Sequence, residues 1–110
     1  MEVLSITKNV RMSPQKMREV VRQIQGLAAN DAMAVLAVIP RKSARVVSKT
    51  LKSAIANAEH NHRLDPNTLI VKEAVAGAAT TYKRVTPKAR GSMGPILKRN
   101  CHVRIIVSDL

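Results

Sequence analysis

The chain has 110 residues, of which 19 are Lys or Arg and 7 are Asp or Glu, so its formal charge is +12. This length supports one domain, residues 1–110, and this charge favours a polyanionic partner, with nucleic acid the first candidate and an anionic membrane surface the second. The composition excludes a transmembrane helix, because no apolar run approaches about 18 residues, and an internal disulfide, because Cys101 is the one cysteine. It also excludes aromatic platforms for base stacking, because Tyr82 is the only Phe, Tyr or Trp.

The first two predicted elements are a strand and a helix. Residues 2–10 favour a strand, although their apolar residues alternate imperfectly. Ser13 followed by Pro14 predicts a helix N-terminus, because serine caps the free amides and proline suits the first helical position. The helix is predicted to run to about Gln25 and to stop at Gly26. Its apolar face is formed by Met17, Val20, Val21 and Ile24.

A short second helix is predicted from Asp31 to about Ile39. Asn30 is a suitable N-cap for it, and Asp31 suits the positive end of the helix dipole. The sequence AMAVLAVI is almost wholly apolar, so we expect this helix to be buried on most of its sides.

The third helix, predicted from Pro40 to about Asn61, is the clearest element. Its apolar stripe consists of Ala44, Val47, Leu51, Ala54, Ile55 and Ala58. Its basic stripe, roughly opposite at about 100° per residue, consists of Lys42, Arg45, Lys49 and Lys52. Many alanines in the apolar stripe allow close packing on a sheet, and the basic stripe is a candidate phosphate-binding surface.

The last third of the chain predicts a long β-hairpin. After the loop NHRLDPNT, residues 68–82 and 96–110 are strand-like. The stretch that joins the two runs and overlaps the inner end of each is TTYKRVTPKARGSMGPILKRN, residues 80–100, with six Lys or Arg and no acid. We therefore expect a hairpin at about residues 76–102 whose base joins the body and whose arms extend beyond it. Such an arm is stable when a polyanion surrounds it and neutralises its charge.

The residues that could suggest a metal site or a nucleophile carry little weight. His60 and His62 flank one asparagine, and Cys101 precedes His102, but no further His or Cys gives zinc-like spacing. Cys101 has no recognisable base beside it in sequence, so it is predicted to be a small buried strand residue. We therefore predict no metal, no cofactor and no enzymatic activity.

Five segments resemble the bacterial large-subunit ribosomal protein twenty-two family. They are RMSPQKMREVVRQIQG (11–26), SAIANAEHN (53–61), YKRVTPKARG (82–91), ILKR (96–99) and VRIIVSD (103–109). The resemblance covers essentially the whole chain, and composition alone gives no reason for these motifs to occur together. It implies an α+β fold in which three helices pack on a small antiparallel sheet and a long hairpin protrudes.

The same resemblance implies a non-catalytic function in the large ribosomal subunit of the cytoplasm. It implies binding to large-subunit rRNA during assembly and a hairpin tip in the wall of the nascent-peptide exit tunnel, near the macrolide site. The implied partners are this rRNA, neighbouring ribosomal proteins and the nascent polypeptide. Neither a membrane nor a second copy of the chain is expected as a partner.

The predicted rRNA-binding residues are Arg11, Lys16, Arg18, Arg22, Lys42, Arg45, Lys49, Lys52, Lys83, Arg84, Lys88, Arg90, Lys98 and Arg99. The residues that match the family's hairpin tip are Lys83, Arg84, Pro87, Lys88, Ala89, Arg90 and Gly91. Residues 92–95, SMGP, depart from the family, which often carries further Arg or Lys there. The distal tip is therefore less basic than the resemblance implies.

A DNA-bending architectural protein is the main alternative, because such proteins also use basic β-arms with a proline near the tip. They usually act as dimers, and the third helix has one apolar stripe, which its own sheet would cover. An enzyme is disfavoured by the lack of a catalytic constellation.

Overall fold

The computed structural model describes residues 2–79, 82–87, 91 and 93–109. In this part of the chain, the helices and strands are β1 (Glu2–Val10), α1 (Pro14–Ile24), α2 (Ala29–Val38), α3 (Lys42–His62), β2 (Ile70–Ala78), β3 (Tyr82–Pro87), β4 (Met93–Lys98) and β5 (Cys101–Ser108). A 3₁₀ turn at Pro66–Thr68 precedes β2. The predicted α+β class, with three helices on a small antiparallel sheet, is confirmed.

Strand β5 is the centre of the three-stranded sheet and pairs antiparallel with β1 on one side and β2 on the other. Val3 and Val71 both pair with Val107, so three buried valines form one row across the sheet. Because successive strand side chains point to opposite faces, every second residue of β5 faces the helices. These buried residues are Cys101, Val103, Ile105 and Val107.

Helices α1 and α3 cover the inner face of the sheet. Helix α1 packs on β2, and α3 packs on β1 and β5. The predicted apolar face of α1 is buried throughout. On α3, Ile55 is only partly buried, and the other predicted core residues are buried: Ala44, Val47, Leu51, Ala54 and Ala58. Their small side chains let α3 lie close to the sheet.

The predicted start and stop of α1 are confirmed. The Ser13 side chain accepts a hydrogen bond from the Lys16 amide at 3.4 Å, and Pro14 is the first helical residue. Gly26 follows the helix with φ of 83°, a backbone conformation that glycine adopts at little cost. The Gly26 amide donates to the Val71 carbonyl at 2.8 Å, so this turn ties α1 to the edge of β2.

The predicted start of α2 is wrong. The helix begins at Ala29, with Ala28 as its N-cap, and Asn30 instead donates a side-chain hydrogen bond to Asn67. The cause is tertiary: the Ala29 amide donates to the Leu69 carbonyl at 2.9 Å, and Ala28 forms a β-bridge with Ile70. The β2 edge therefore fixes where this helix begins.

The expected burial of α2 on most sides is also wrong. Its buried residues are Ala29, Ala32 and Leu36, whereas Val38 is 79% exposed. Helix α2 lies at one end of the helical layer and packs mainly on α3, so one side of it meets solvent.

Pro40 ends α2 and does not start α3, contrary to the prediction. The residue before a proline is disfavoured in the helical region, and Ile39 is extended, with ψ of 118°. Helix α3 begins two residues after the proline, at Lys42, with Arg41 as its N-cap. It ends at His62, and Arg63 then adopts the left-handed conformation with φ of 54°.

Strands β3 and β4 form a second, two-stranded antiparallel sheet. Tyr82 pairs with Lys98 at its base, and Pro87 pairs with Met93 toward its tip. The Ala79 amide donates to the carbonyl of buried Asn100 at 3.0 Å and so joins the hairpin to the larger sheet. The molecule measures 63 × 26 × 17 Å, which reflects this elongated arrangement.

A polar contact joins α3 to β1 inside the core. The Thr7 and Thr50 hydroxyls lie 2.6 Å apart, and Thr50 also bonds the Val46 carbonyl at 3.0 Å. We predict that Thr50→Val lowers the free energy of unfolding by about 1 kcal/mol, because the Thr7 hydroxyl loses its partner. Urea unfolding of Thr7→Val, of Thr50→Val and of the double variant would measure the coupling energy between the two hydroxyls. Strictly additive losses would contradict the hydrogen bond.

Candidate nucleic-acid interface

Four exposed basic side chains run along one side of α3. They form the α3 basic stripe: Lys42, Arg45, Lys49 and Lys52. Over ten residues at about 1.5 Å rise per residue, the stripe is on the order of 15 Å long. In the described part of the chain, none of the four makes an ion pair with an acid. The stripe is therefore an uncompensated positive surface that suits a polyanion.

A cleft of about 840 Å³ lies between the end of α2 and the start of the α3 basic stripe. Arg41, Lys42 and Arg45 line it, with exposed Val38 among the apolar lining residues. The first turn of α3 has no acid and no side-chain cap, so its free amides add positive potential. The Arg41 guanidinium also pairs with the Glu19 carboxylate of α1. The cleft thus extends the stripe around the helix N-terminus.

A second basic surface joins α1 to the segment after β4. Arg18, Arg22 and Arg99 form this arginine cluster, which lines a cleft of about 570 Å³. Glu19 also lines the cleft, but its carboxylate pairs with Arg41. All three arginines are exposed. Sequence reasoning assigned Arg99 to the hairpin arm and the other two to a helix face, and the fold brings them together. Arginine can grip a phosphate with two parallel hydrogen bonds, so this cleft suits an RNA backbone.

Arg18 also has a structural contact that the sequence did not indicate. Its Nε donates to the Ala76 carbonyl of β2 at 3.1 Å. This bond fixes the guanidinium beside the strand that leads into the hairpin. Arg18 is therefore held in place before any ligand binds, which lowers the entropic cost of ordering it.

The remaining predicted binding residues of the body are dispersed. Arg11 is exposed just after β1, and Lys16 is exposed in the first turn of α1. Lys98 is exposed at the end of β4, next to Arg99. None of the three lines the cleft of the arginine cluster.

The structure describes only part of the predicted hairpin tip. Lys83, Arg84 and Pro87 lie in β3, where their backbones pair with β4. Gly91 has φ of 75°, in the left-handed region that favours glycine. Three predicted tip residues lie outside the described residues: Lys88, Ala89 and Arg90.

Sequence reasoning missed Arg41 as a member of the basic surface. Arg41 precedes Arg45 and Lys49 at successive spacings of four residues, so helical periodicity could have found it.

The described residues give little support for metal binding, for a reactive thiol or for a membrane-spanning helix. They contain no group of three His, Cys, Asp or Glu side chains that could hold a metal ion. Cys101 is buried, and this burial raises the pKa of its thiol, so the thiol stays protonated at neutral pH. Cys101 is therefore a packing residue of β5, as predicted. None of the helices in the described ranges is both long enough and apolar enough to cross a membrane.

Comparison with known proteins agrees with the resemblance seen in the sequence. The family described as Ribosomal protein L22p/L17e matches residues 5–108. A protein of Opitutus terrae named Large ribosomal subunit protein uL22 is 50% identical over 109 residues, which cover 99% of this chain and 96% of that protein. Proteins of the same name from Methylacidiphilum infernorum and Thermomicrobium roseum are 48% and 46% identical, covering 99% and 100% of this chain and 96% and 93% of their own lengths. On this similarity, which spans the whole fold, the chain belongs to the L22p/L17e family of ribosomal proteins.

Proposed function

We propose that this protein is a non-catalytic constituent of the large ribosomal subunit in the cytoplasm, where it binds large-subunit rRNA and supports assembly. Its relatives carry the name of a large-subunit protein. The observation that carries the rRNA-binding proposal is the α3 basic stripe, whose four exposed cations are not neutralised within the described chain.

The distribution of charge supports binding to a phosphate backbone. Two ion pairs lie on the sheet, Glu2–Lys72 and Glu73–Arg104, and a third joins Glu19 to Arg41 beside the basic surfaces. The α3 basic stripe and the arginine cluster retain their positive charge. Because phosphate contacts release counterions from RNA, concentrated and unpaired cations give strong, salt-dependent binding.

The hairpin extends the proposed RNA contact away from the body. From residue 74 to residue 108 the chain has seven Lys or Arg and no acid. The arginine cluster lies at the root of this segment, so RNA held there would continue along the hairpin. We further propose that the tip forms part of the wall of the nascent-peptide exit tunnel near the macrolide site, with the nascent polypeptide as a transient partner.

The decisive experiment changes Arg45, Lys49 and Lys52 together to glutamine. These side chains are exposed, so we predict an unchanged melting temperature for the isolated protein. Each lost phosphate contact lowers the log–log salt slope by roughly 0.7–0.9, so the three together lower it by roughly 2–3. Filter binding to transcribed large-subunit rRNA across a salt series would measure the slope.

A matched control removes the same charge from elsewhere on the surface. Lys8, Arg63 and Lys72 are exposed and lie outside the predicted binding set. Their triple glutamine variant should retain nearly the parent slope. Equal slopes for both variants would contradict the proposed interface, because net charge alone would then explain binding. Equal affinity of the parent for folded rRNA and for duplex DNA would instead favour the architectural DNA-binding class.

A further inference from the structure

The outer face of the three-stranded sheet, opposite the helices, carries large apolar side chains in water. Four of them are well exposed: Leu4 (46%), Ile6 (44%), Val75 (41%) and Ile70 (37%). Single exposed apolar residues are ordinary on a protein surface, whereas a contiguous set on one face indicates an interaction site.

The strand register places these residues in neighbouring rows of the outer face. Leu4 pairs with Ile106, so two apolar residues lie side by side on β1 and β5. In the next outward-facing row, Ile6 and Val75 pair with Arg104 from opposite sides. Cross-strand neighbours of this kind have Cβ atoms about 4.5–5.5 Å apart. Leu4, Ile6 and Ile106 are therefore neighbours, whereas Val75 lies on the far side of Arg104 and Ile70 lies beside Ser108.

The outer sheet face contains a hollow above Gly77. A cleft of about 320 Å³ is lined by Ile6, Val75 and Gly77 and by four polar residues: Lys8, Glu73, His102 and Arg104. A Cβ built on Gly77 would meet no atom within 4 Å, so the hollow has space for an incoming side chain. Gly77 contributes no side chain to the hollow, and Ile6 and Val75 give it apolar walls that suit an apolar side chain.

Most charges of this face are paired, unlike those of the α3 basic stripe, although exposed Lys8 is in none of the ion pairs of the described residues. The Arg104 guanidinium lies 3.8 Å from the Glu73 carboxylate, and Lys72 pairs with Glu2. Glu2 and Glu73, two of the chain's seven acids, thus form ion pairs on this sheet. A face with paired charges and exposed apolar area does not attract a polyanion, but it complements a polypeptide of low net charge.

We propose that the outer sheet face docks an apolar segment of a neighbouring protein of the large subunit, which inserts an apolar side chain into the hollow above Gly77. The proposal rests on the proposed function, because it needs the assembled subunit to supply the partner. It assigns the two sides of the molecule to different partners: the helical side binds RNA, and the sheet side binds protein.

The test fills the hollow with a side chain of the protein itself. Gly77 does not have a positive φ, and replacing a strand glycine also removes an entropic penalty, so Gly77→Leu should fold and melt no lower than the parent. Ala34→Leu is the matched control, because it adds an exposed leucine on α2, away from the sheet. Each variant competes with isotope-labelled parent protein in two mixtures. The first contains transcribed large-subunit rRNA alone, and the second contains this rRNA with the full set of large-subunit proteins.

We expect Gly77→Leu to match the parent on rRNA alone and to lose by about tenfold when the other proteins are present. Ala34→Leu should match the parent in both mixtures. Parity of Gly77→Leu in both mixtures would overturn the docking proposal, as would a loss on rRNA alone, which would assign the face to RNA. Failure of the parent to bind rRNA at all would instead overturn the proposed function.

A second measurement does not depend on filling the hollow. Val75→Cys introduces a reactive thiol on the outer sheet face, whereas native Cys101 is buried and its thiol is protonated. A benzophenone maleimide attached at position 75 should crosslink to a ribosomal protein in reconstituted subunits, identified by mass spectrometry of the purified particle. In subunits reconstituted with Val75→Cys protein that carries no benzophenone label, the thiol at position 75 should lose most of the maleimide reactivity that it has in the free protein. Crosslinks to rRNA, or an undiminished reactivity, would overturn the proposal.

Discussion

Leu51→Ala is expected to lower the free energy of unfolding by about 2–5 kcal/mol, because it removes a fully buried side chain and leaves a cavity. Leu51 lies in the middle of α3, which packs on β1 and β5. Typical domains are stable by about 5–15 kcal/mol in total, so the loss is a large fraction of the stability of a chain this size. Urea unfolding of the isolated protein followed by circular dichroism would measure it.

Ile55→Ala is the matched control for this prediction. Ile55 lies one turn further along α3 but is only partly buried, so it removes less area from water. We expect a clearly smaller loss than at Leu51. If Leu51→Ala unfolds at the same urea concentration as the parent, the packing of α3 on the sheet is wrong.

Shortening the hairpin by two residues on each arm is expected to change tunnel-dependent behaviour while leaving the body intact. Arg84 pairs with Ile96, and Val85 pairs with Pro95, so deleting these four residues removes two complete pairs. Side chains alternate with a period of two, so the remaining pairs keep their faces. At about 3.3 Å per residue, the tip withdraws by about 7 Å.

Ribosomes that carry only the shortened protein would be assayed for macrolide sensitivity and for stalling at a tunnel-dependent arrest peptide. We expect normal incorporation, because the α3 basic stripe and the arginine cluster are retained, together with an altered response in at least one assay. Full-length Arg84→Gln controls for the lost charge. Parent-like responses in both assays would contradict the proposed tunnel role, and failed incorporation would make the hairpin an assembly anchor.

Elements with local signals could be predicted from the sequence. The Ser13–Pro14 pair and the spacing of apolar residues defined α1 and its buried face, and periodicity alone separated the buried and basic sides of α3. The prediction that Cys101 is a small buried strand residue is likewise confirmed in β5. Each of these signals acts within one element, where neighbouring residues decide the conformation.

Elements fixed by distant contacts could not be predicted. The start of α2 depends on a hydrogen bond to the Leu69 carbonyl and on a β-bridge to Ile70, which lie about forty residues later in the sequence. For the same reason, the meeting of Arg99 with Arg18 in one cleft could not be seen before the sheet placed α1 beside the hairpin root. The exposed sheet face was also missed, because an apolar strand residue gives no local sign of which side of a sheet stays in water.

The central position of β5 has a consequence for folding during synthesis. In the described sheet, β1 and β2 share β5 as their partner, and Glu2 pairs with Ser108. At about 5–20 residues per second, roughly 5–20 s separate the synthesis of β1 from that of β5. Helices form from local hydrogen bonds, so α1 and α3 can take shape in that interval, while Val3 and Val71 wait for Val107. A nascent chain halted before β5 would therefore present a basic helix without its finished sheet, as a target for chaperones and proteases.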